Sequence, residues 1–432
     1  MDRELPNLEV RGKTARQARS VETKRRIVRA AIDIIAERDL ADLTHRLVAE
    51  RAGVGLAATT YYYKTKDDIV ADVSNTLLND YVSSFENYVR RARQTPRPAM
   101  EFRQLICRLL CNSVSRNRAE TLTWMELLLE SVRHPEDQAF RRLWAGRLED
   151  VWTEIVTLQK GEDAVISART VIDQIIGLQL VVLALGIDGQ SIARVLLNGE
   201  DPLVAWSQFE TDNDAADQRK GARLTPKARA TRQRILDATV DILIRQGAGA
   251  VSYKRVAQQA GLTPAAPAYY FSKPSELLRE AQNALFEKSK ERYRTVMTGV
   301  DFKALDLPRL VDLTVAVFLR EATEFGGHNL ASYGIWLKAA RQPELRARVW
   351  EAIQDQGQAW TRIFSILQVE HASLAAFMAQ LLFIGKLVRI TCMGTATSDL
   401  AHVHREFLRD LTALVEGRHW SLPENSTNRQ KN

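Results

Sequence analysis

An internal repeat constrains this chain more than any other feature of its sequence. The segment RRIVRAAIDII at 25–35 aligns with QRILDATVDIL at 233–243, an offset of 208 residues. The same offset aligns LTHRLVAERAGV at 43–54 with VSYKRVAQQAGL at 251–262, and it persists without a gap to Trp152 and Trp360 and to Gly177 and Gly385. Self-similarity at a fixed distance indicates a repeated structural unit. We therefore expect two related units of roughly 200 residues that pair within one chain.

Each unit has the residue pattern of helices. Apolar residues recur at the spacing of one helix face at Ile27, Ala30, Ala31, Ile34 and Ile35, and again at Ile235, Ala238, Ile242 and Leu243. Later segments are long, rich in Leu, Ala and Val, and interrupted by Pro and Gly. No segment shows the alternating pattern of a strand. The predicted fold class is all-α.

A compact motif near the start of each unit predicts a helix, a tight turn and a second helix. Thr44 is placed to cap a helix over 45–52, Gly53 supplies a left-handed turn, and Val54 precedes a second helix over about 56–63. The second unit repeats the pattern with Ser252 as cap, Gly261 as turn, Leu262 as the apolar residue after it and Thr263 as the next cap. Such a helix-turn-helix places its second helix in the major groove of DNA.

These motifs, together with YYYKTK at 61–66 and YYFSKP at 269–274, resemble the TetR (tetracycline-repressor-like) family of transcription regulators. The resemblance implies two tandem TetR-like units, each with a three-helix DNA-binding domain and a helical ligand-binding and dimerisation domain. It implies a fused pseudo-dimer that binds a double-stranded DNA operator and responds to a small-molecule effector. The DNA-binding residues it implies are His45, Arg46, Leu56, Ala57, Ala58, Thr60, Tyr61 and Lys66, and Tyr253, Lys254, Pro264, Ala265, Ala266, Ala268, Tyr269 and Lys273.

Basic residues precede both motifs, where a chain approaches the DNA backbone. They are Arg11, Lys13, Arg16, Arg19, Lys24, Arg25, Arg26 and Arg29, and Arg219, Lys220, Arg223, Lys227, Arg229, Arg232 and Arg234. The second helix of the second helix-turn-helix motif, which would enter the major groove as the reading helix, departs from the pattern. Pro267 removes an early backbone hydrogen bond and shortens this helix. Many family members also carry tyrosine where this chain has Thr60 and Ala268. We therefore expect the two DNA-binding domains, called heads below, to differ in how they bind DNA, and we expect an operator with unequal half-sites.

The remainder of each unit resembles the family in length and helical character. We expect segments 136–160, 162–187, 344–368 and 371–395 to form a four-helix bundle across the two units. An effector pocket is predicted at Phe102, Leu105, Leu109, Trp124 and Leu128, or at Trp336, with ordinary core packing as the alternative for each. Further self-association of the fused chain remains open.

The predicted division runs in seven parts along the chain. These are a basic arm (1–20), a first DNA-binding domain (21–70), a first regulatory core (71–206), a linker (207–229), a second DNA-binding domain (230–278), a second regulatory core (279–418) and a tail (419–432). The linker is predicted from its change to acidic, then basic and Gly- and Pro-containing sequence.

Other classes of function receive less support. Three cysteines do not form a disulfide framework and suit a reducing cytoplasm, and the start has no apolar run typical of a signal peptide. No phosphate loop, metal-ligand spacing or nucleophile motif indicates an enzyme, and no cofactor or membrane partner is expected. The net charge of +7 is compatible with an anionic partner. A degenerate member that binds proteins instead of DNA is the main alternative.

Overall fold

The computed structural model describes residues 8–94, 100–133, 138–160, 166–207, 225–301, 304–393 and 397–422. Within these ranges the regular structure is helical and contains no strand, which confirms the all-α prediction. The helices of the first half are α1 (Leu8–Glu37), α2 (His45–Ala52), α3 (Leu56–Tyr62), α4 (Lys66–Arg93), α5 (Phe102–Val114), α6 (Arg118–Glu130), α7 (Gln138–Lys160), α8 (Ala168–Leu185), α9 (Gly189–Asn198) and α10 (Pro202–Ala205).

The second half repeats much of this order. Its helices are α11 (Pro226–Gln246), α12 (Tyr253–Gln259), α13 (Ala266–Tyr270), α14 (Pro274–Met297), α15 (Leu307–Thr323), α16 (Gly326–Ala339), α17 (Arg346–Ile366), α18 (Ala372–Met393) and α19 (Thr397–Val415). Short 3-10 turns lie at Leu40–Asp42, Ser131–Arg133, Ala248–Ala250 and Pro343–Leu345. The turns at Leu40–Asp42 and Ala248–Ala250 occupy corresponding positions in the alignment at 208 residues, whereas Pro343–Leu345 lies four residues beyond the counterpart of Ser131–Arg133.

Helices α8 and α18 form the centre of the molecule and cross at two glycines. A Cβ atom added to Gly177 would lie 2.2 Å from the carbonyl oxygen of Leu381, and one added to Gly385 would lie 1.7 Å from that of Asp173. Only glycine permits backbones to approach this closely. Helix α7 packs against α8, and α17 packs against α18, so the four expected segments do form one bundle.

A buried ionic cluster joins the halves at this crossing. Lys386 on α18 is fully buried, and its Nζ lies 2.8 Å from Asp173 Oδ2 on α8 and 2.6 Å from Glu406 Oε2 on α19. Arg389 Nε donates to Asp173 Oδ1 at 2.6 Å, and Thr170 donates to Asp410 at 2.6 Å. Because the acid on α8 meets bases on α18, the cluster favours pairing of unlike halves.

The apolar helices α8 and α18 are each long enough to cross a membrane, but 94% of each apolar window is buried inside the protein. Their sequence therefore reflects their place in the core of the bundle.

Some boundaries differ from the sequence division. The predicted arm at 1–20 is helical from Leu8 onward, because α1 begins there. The predicted linker at 207–229 lies mostly outside the described residues, and its last part belongs to α11, which begins at Pro226. The predicted tail begins with packed residues, since His419 and Trp420 are buried and residues 423–432 lie outside the described ranges.

Candidate nucleic-acid interface

The first head consists of the C-terminal part of α1 with α2 and α3. Thr44 accepts a hydrogen bond from the Leu47 backbone N–H at 3.2 Å, and Gly53 ends α2 with φ of 62°. Val48, Ala49 and Ala52 face inward. The predicted cap, turn and bounds of α2 are therefore confirmed.

Helix α3 presents an open surface. Leu56 is 51% exposed and Tyr61 is 77% exposed, with the Tyr61 ring edge-on to Tyr62. The Thr60 hydroxyl donates within the helix to the carbonyls of Leu56 and Ala57, at 3.3 and 3.2 Å. Arg46 at the start of α2 is also exposed. This surface combines an exposed guanidinium with apolar groups and a phenol, which suits contacts to base edges, thymine methyls and phosphates.

The second head has the same plan with a shorter reading helix. Ser252 caps α12 by accepting from the Arg255 N–H at 3.3 Å, and Gly261 has φ of 62°. Helix α13 has five residues, with Pro267 in its first turn, so the predicted shortening is confirmed. Pro264 precedes the helix, and Thr263 does not cap it with its side chain, because the N-cap is Ala265. Tyr269 is 83% exposed and lies edge-on to Tyr270.

The predicted DNA-binding residues divide by exposure. The exposed ones are Arg46, Leu56, Ala57, Thr60, Tyr61, Lys254, Pro264, Ala265, Ala268, Tyr269 and Lys273. The half-buried ones are His45, Ala58, Lys66, Tyr253 and Ala266. The exposed residues lie on or directly beside the two helices of each helix-turn-helix motif, except Lys273, which is the N-cap of α14.

Two residues that were predicted to contact DNA form hydrogen bonds within the protein. Lys66 Nζ donates to the Leu40 carbonyl at 2.5 Å, so this ammonium joins α4 to the turn before α2. The Tyr253 hydroxyl donates to the Phe271 carbonyl at 2.7 Å, and burial raises its pKa. Each internal bond uses one donor, and the remaining N–H groups of Lys66 and the lone pairs of the Tyr253 hydroxyl leave the predicted DNA contacts as predictions.

Several residues of the basic runs also have internal roles. Arg26 Nη2 donates to the carbonyls of Ala52 and Gly53, and Arg234 Nη2 donates to those of Ala260 and Gly261. Each arginine thereby stabilises the carbonyl end of its reading motif. The signal was present in the sequence, because Arg26 and Arg234 are separated by the repeat offset.

Other members of the basic runs form ion pairs or remain exposed. Arg29 pairs with Glu120 and Asp33, and Arg232 pairs with Glu280 at 3.0 Å. Arg19, Lys227 and Arg229 are exposed. The side chains of Arg11, Lys13 and Arg16, and all of Arg219, Lys220 and Arg223, lie outside the described parts.

Comparison with known families matches both ends of this architecture. Residues 27–73, which include the first helix-turn-helix, match the model described as bacterial regulatory proteins, tetR family. Residues 305–414, from α15 to α19, match the model described as the tetracyclin repressor-like C-terminal domain. Both ends of the chain therefore match domains of the tetR family. No curated protein matches the chain. The two matches support a DNA-binding transcription regulator.

The first cavity, where the family resemblance predicts an effector site, has a volume of about 670 Å³ and lies among α4 to α8. Its wall includes charged residues such as Arg108 and Glu120 and six aromatic residues: Tyr81, Phe85, Tyr88, Trp124, Trp144 and Trp152. Trp124 and Trp144 stack with ring centroids 4.1 Å apart, and Trp152 Nε1 donates to the Tyr81 hydroxyl at 3.1 Å. This cavity suits a flat apolar molecule.

The second regulatory cavity has a volume of about 500 Å³ and occupies the corresponding place among α14 to α18. Polar residues replace apolar ones on its wall: Tyr293 stands where the first cavity has Phe85, Gln356 where it has Leu148, and Gln380 where it has Ile172. Arg292 forms a two-point ion pair with Glu321, at 3.0 and 2.9 Å.

Three buried polar atoms of residues on this wall have no hydrogen-bond partner. They are Gln282 Oε1, Trp336 Nε1 and Gln380 Oε1. Burial lowers the pKa of His328, which also lines the cavity. Because unpaired buried polar groups cost free energy, this wall favours a molecule with hydrogen-bonding groups.

The predicted pocket residues are distributed over several sites. Leu105, Leu109 and Trp124 line the first cavity, and Trp336 lines the second. Phe102 does not line either, because it is buried against Trp420 with ring centroids 5.8 Å apart. Leu128 instead faces a cleft of about 890 Å³ between the two heads.

Proposed function

We propose that this chain is a ligand-responsive repressor formed by two related units and that both heads bind one operator. The observation that carries the proposal is the repeated reading surface. Tyr61 and Tyr269 are separated by the repeat offset, and both are largely exposed beside an exposed base, Arg46 or Lys254. Two heads joined through one bundle bind two half-sites in the manner of a dimer.

The operator has unequal half-sites in this proposal. Arg46 offers a planar fork that donates to guanine at two points, whereas Lys254 offers a single ammonium. Helix α3 presents Leu56 and Thr60, and the corresponding residues of the second head are Pro264 and Ala268. The second head therefore contributes more through DNA shape and backbone contacts than through base edges.

Effector binding releases the DNA by shifting the population of head spacings. The two heads fit successive major grooves when their separation matches the helical repeat of about 34 Å. An effector in a regulatory cavity acts by binding more tightly to a conformation in which the heads no longer match. The different walls of the two cavities support two different classes of effector.

A protein-interaction module is the second candidate. It is favoured by α13, which has five residues and exposes no hydrogen-bonding side chain before Tyr269. In this case the tyrosines and apolar residues of the heads contact a protein, and binding to DNA is weak and nonspecific.

Binding of the purified full chain to fragments of its own upstream DNA, at two salt concentrations, tests the proposal. Arg46→Ala is expected to weaken specific binding by about 1–3 kcal/mol and to relax base preference in one half-site. Lys254→Ala is the matched variant in the other head and is expected to have the smaller effect. Equal affinity for operator and random fragments, in both this region and a pool of genomic fragments, would favour the interaction module.

A further inference from the structure

One arginine in each half of the molecule donates hydrogen bonds to the head of the other half. Arg341 donates from Nε to the Ala36 carbonyl at 2.9 Å and from Nη2 to the Ile35 carbonyl at 2.8 Å. Arg133, its counterpart in the alignment, donates from Nη2 to the Leu243 carbonyl at 3.2 Å. Both contacts satisfy carbonyls in the last turn of a head's first helix, where a cation is stabilising.

The first head has an additional ion pair to the other half of the molecule. Lys338 Nζ lies 2.7 Å from Asp39 Oδ2, and Asp39 in turn accepts from the Ala41 N–H in the turn between α1 and α2. Burial would raise the pKa of Asp39, but Lys338, the Ala41 N–H and Arg341 together outweigh burial and lower it. At the corresponding positions of the second head stand Gly247 and Glu130, which cannot form this ion pair.

The two heads also differ in how their cores join the rest of the protein. Buried side chains of the first head, such as Ile34 and Val48, belong to the main hydrophobic core. In the second head, Ile242, Val256 and Phe271 belong to a separate cluster, while Val240 and Leu243 on α11 join the main core. Movements of the bundle therefore reach the first head through continuous packing as well as through Arg341 and Lys338.

Helix α16 connects the second cavity to these contacts. Its residues His328, Ser332 and Trp336 line the cavity. Lys338 lies near its C-terminal end, and Arg341 follows within three residues. Since a packed helix moves as a unit, a molecule that displaces α16 also displaces both cations that hold the first head.

We propose that the second cavity controls the first head across the boundary between the halves. The inference rests on the proposed function, since it assigns one of the two regulatory cavities to one of the two heads. The competing route within the first half runs through α6, which packs on α1 and whose Thr123 donates to the Ile32 carbonyl at 3.1 Å. Glu120 of α6, on the wall of the first cavity, also pairs with Arg29 of α1, but this pair is partly exposed, with 54% exposure at Arg29, so solvent weakens it.

The test fills the second cavity without a ligand. Ser332→Trp introduces the residue that the first cavity has at the corresponding position, Trp124. Amide hydrogen exchange of the full chain, without DNA, is expected to rise at least about fivefold over residues 35–63, with a smaller change over 243–271. Leu109→Trp, which fills the first cavity, is the matched control and is expected to leave residues 35–63 less affected than Ser332→Trp does.

A second set of variants isolates the connection. In a chain that carries Lys338→Gln and Arg341→Gln, the baseline exchange of the first head rises, and adding Ser332→Trp is expected to produce little further change. Arg133→Gln is the matched control, and in its background Ser332→Trp is expected to retain its full effect on the first head. Circular dichroism and melting temperature identify a variant that fails to fold, and Ser332→Phe then replaces Ser332→Trp.

Three results would overturn the proposal that the second cavity controls the first head. They are a response confined to the second head, a response in neither head, and a response that survives the loss of Lys338 and Arg341. Because the readout needs neither operator nor effector, its failure is separate from failure of the DNA-binding proposal. Failure of DNA binding would appear in the operator assay and would leave the exchange result unchanged.

Discussion

Replacing Lys386 with methionine tests the ionic cluster that joins α8, α18 and α19. Its ammonium is fully buried and lies 2.8 Å from Asp173, 2.6 Å from Glu406 and 3.5 Å from Asp410. Methionine keeps most of the apolar stem and removes the charge. The three buried carboxylates then face fewer cations, and removing one partner of a buried ion pair costs about 3–5 kcal/mol. We expect the free energy of unfolding to fall by that amount.

The cluster also predicts how stability changes with pH. Burial would raise the pKa of Glu406, but Lys386 and Arg389 outweigh burial and lower it to about 2. This value lies below the unfolded value of about 4.3, so the stabilisation is complete above pH of about 4.3 and is lost as the pH falls toward 2. In Lys386→Met the pKa of Glu406 lies closer to the unfolded value, so the loss of stability between pH of about 4.3 and 2 is smaller than in the unmodified chain.

Urea unfolding followed by tryptophan fluorescence measures both effects. Lys290→Met is the matched control, because Lys290 forms a partly exposed ion pair with Asp355 at 3.3 Å and is expected to cost at most about 1 kcal/mol. The double variant Asp173→Asn, Lys386→Met is expected to recover part of the loss. A cost for Lys386→Met no larger than that of the control would refute the account of this cluster.

Two further predictions concern the close crossing and the C-terminal segment. Gly385→Ala places a methyl 1.7 Å from the Asp173 carbonyl oxygen and is expected to lower the free energy of unfolding in urea by at least about 1–3 kcal/mol. Gly146→Ala has open space around it and is expected to raise the free energy of unfolding by up to about 1 kcal/mol. Equal effects of the two changes would contradict the crossing. Burial, with a smaller contribution from Arg103, lowers the pKa of His419 to about 3. The stabilisation from neutral His419 is complete above the unfolded pKa of about 6.5 and is lost as the pH falls toward 3. His419→Gln is therefore expected to flatten the dependence of unfolding free energy on pH in this window. An unchanged dependence would exclude His419 as its source.

Local patterns predicted the helix-turn-helix in detail. The bounds of α2, the Thr44 cap and the left-handed Gly53 follow from contacts within a few residues, where spacing and side-chain chemistry decide the structure. The four segments of the bundle were also predicted, because long apolar runs between helix-breaking residues locate buried helices. Gly177 and Gly385 were aligned in the sequence, but their close packing depends on two helices far apart in the chain.

Long-range contacts account for the errors. Phe102 was predicted to line a pocket, but the C-terminal Trp420 covers it, and no pattern near Phe102 indicates that partner. Lys66 stays a predicted phosphate ligand, and its hydrogen bond to the Leu40 carbonyl was not evident from the sequence. No local pattern indicates the contact between Arg341 and α1, because the two lie about 300 residues apart in the chain.

The number of chains bound to one operator tests most directly whether a single chain supplies both DNA-reading heads. The measurement is native mass spectrometry, checked by sedimentation, of the full chain on a duplex that it selects from a random pool. The account predicts one chain per operator, with protection of two unequal half-sites and loss of one half-site's specificity in Arg46→Ala. Two chains on every operator, each contacting DNA through a single head, would contradict it.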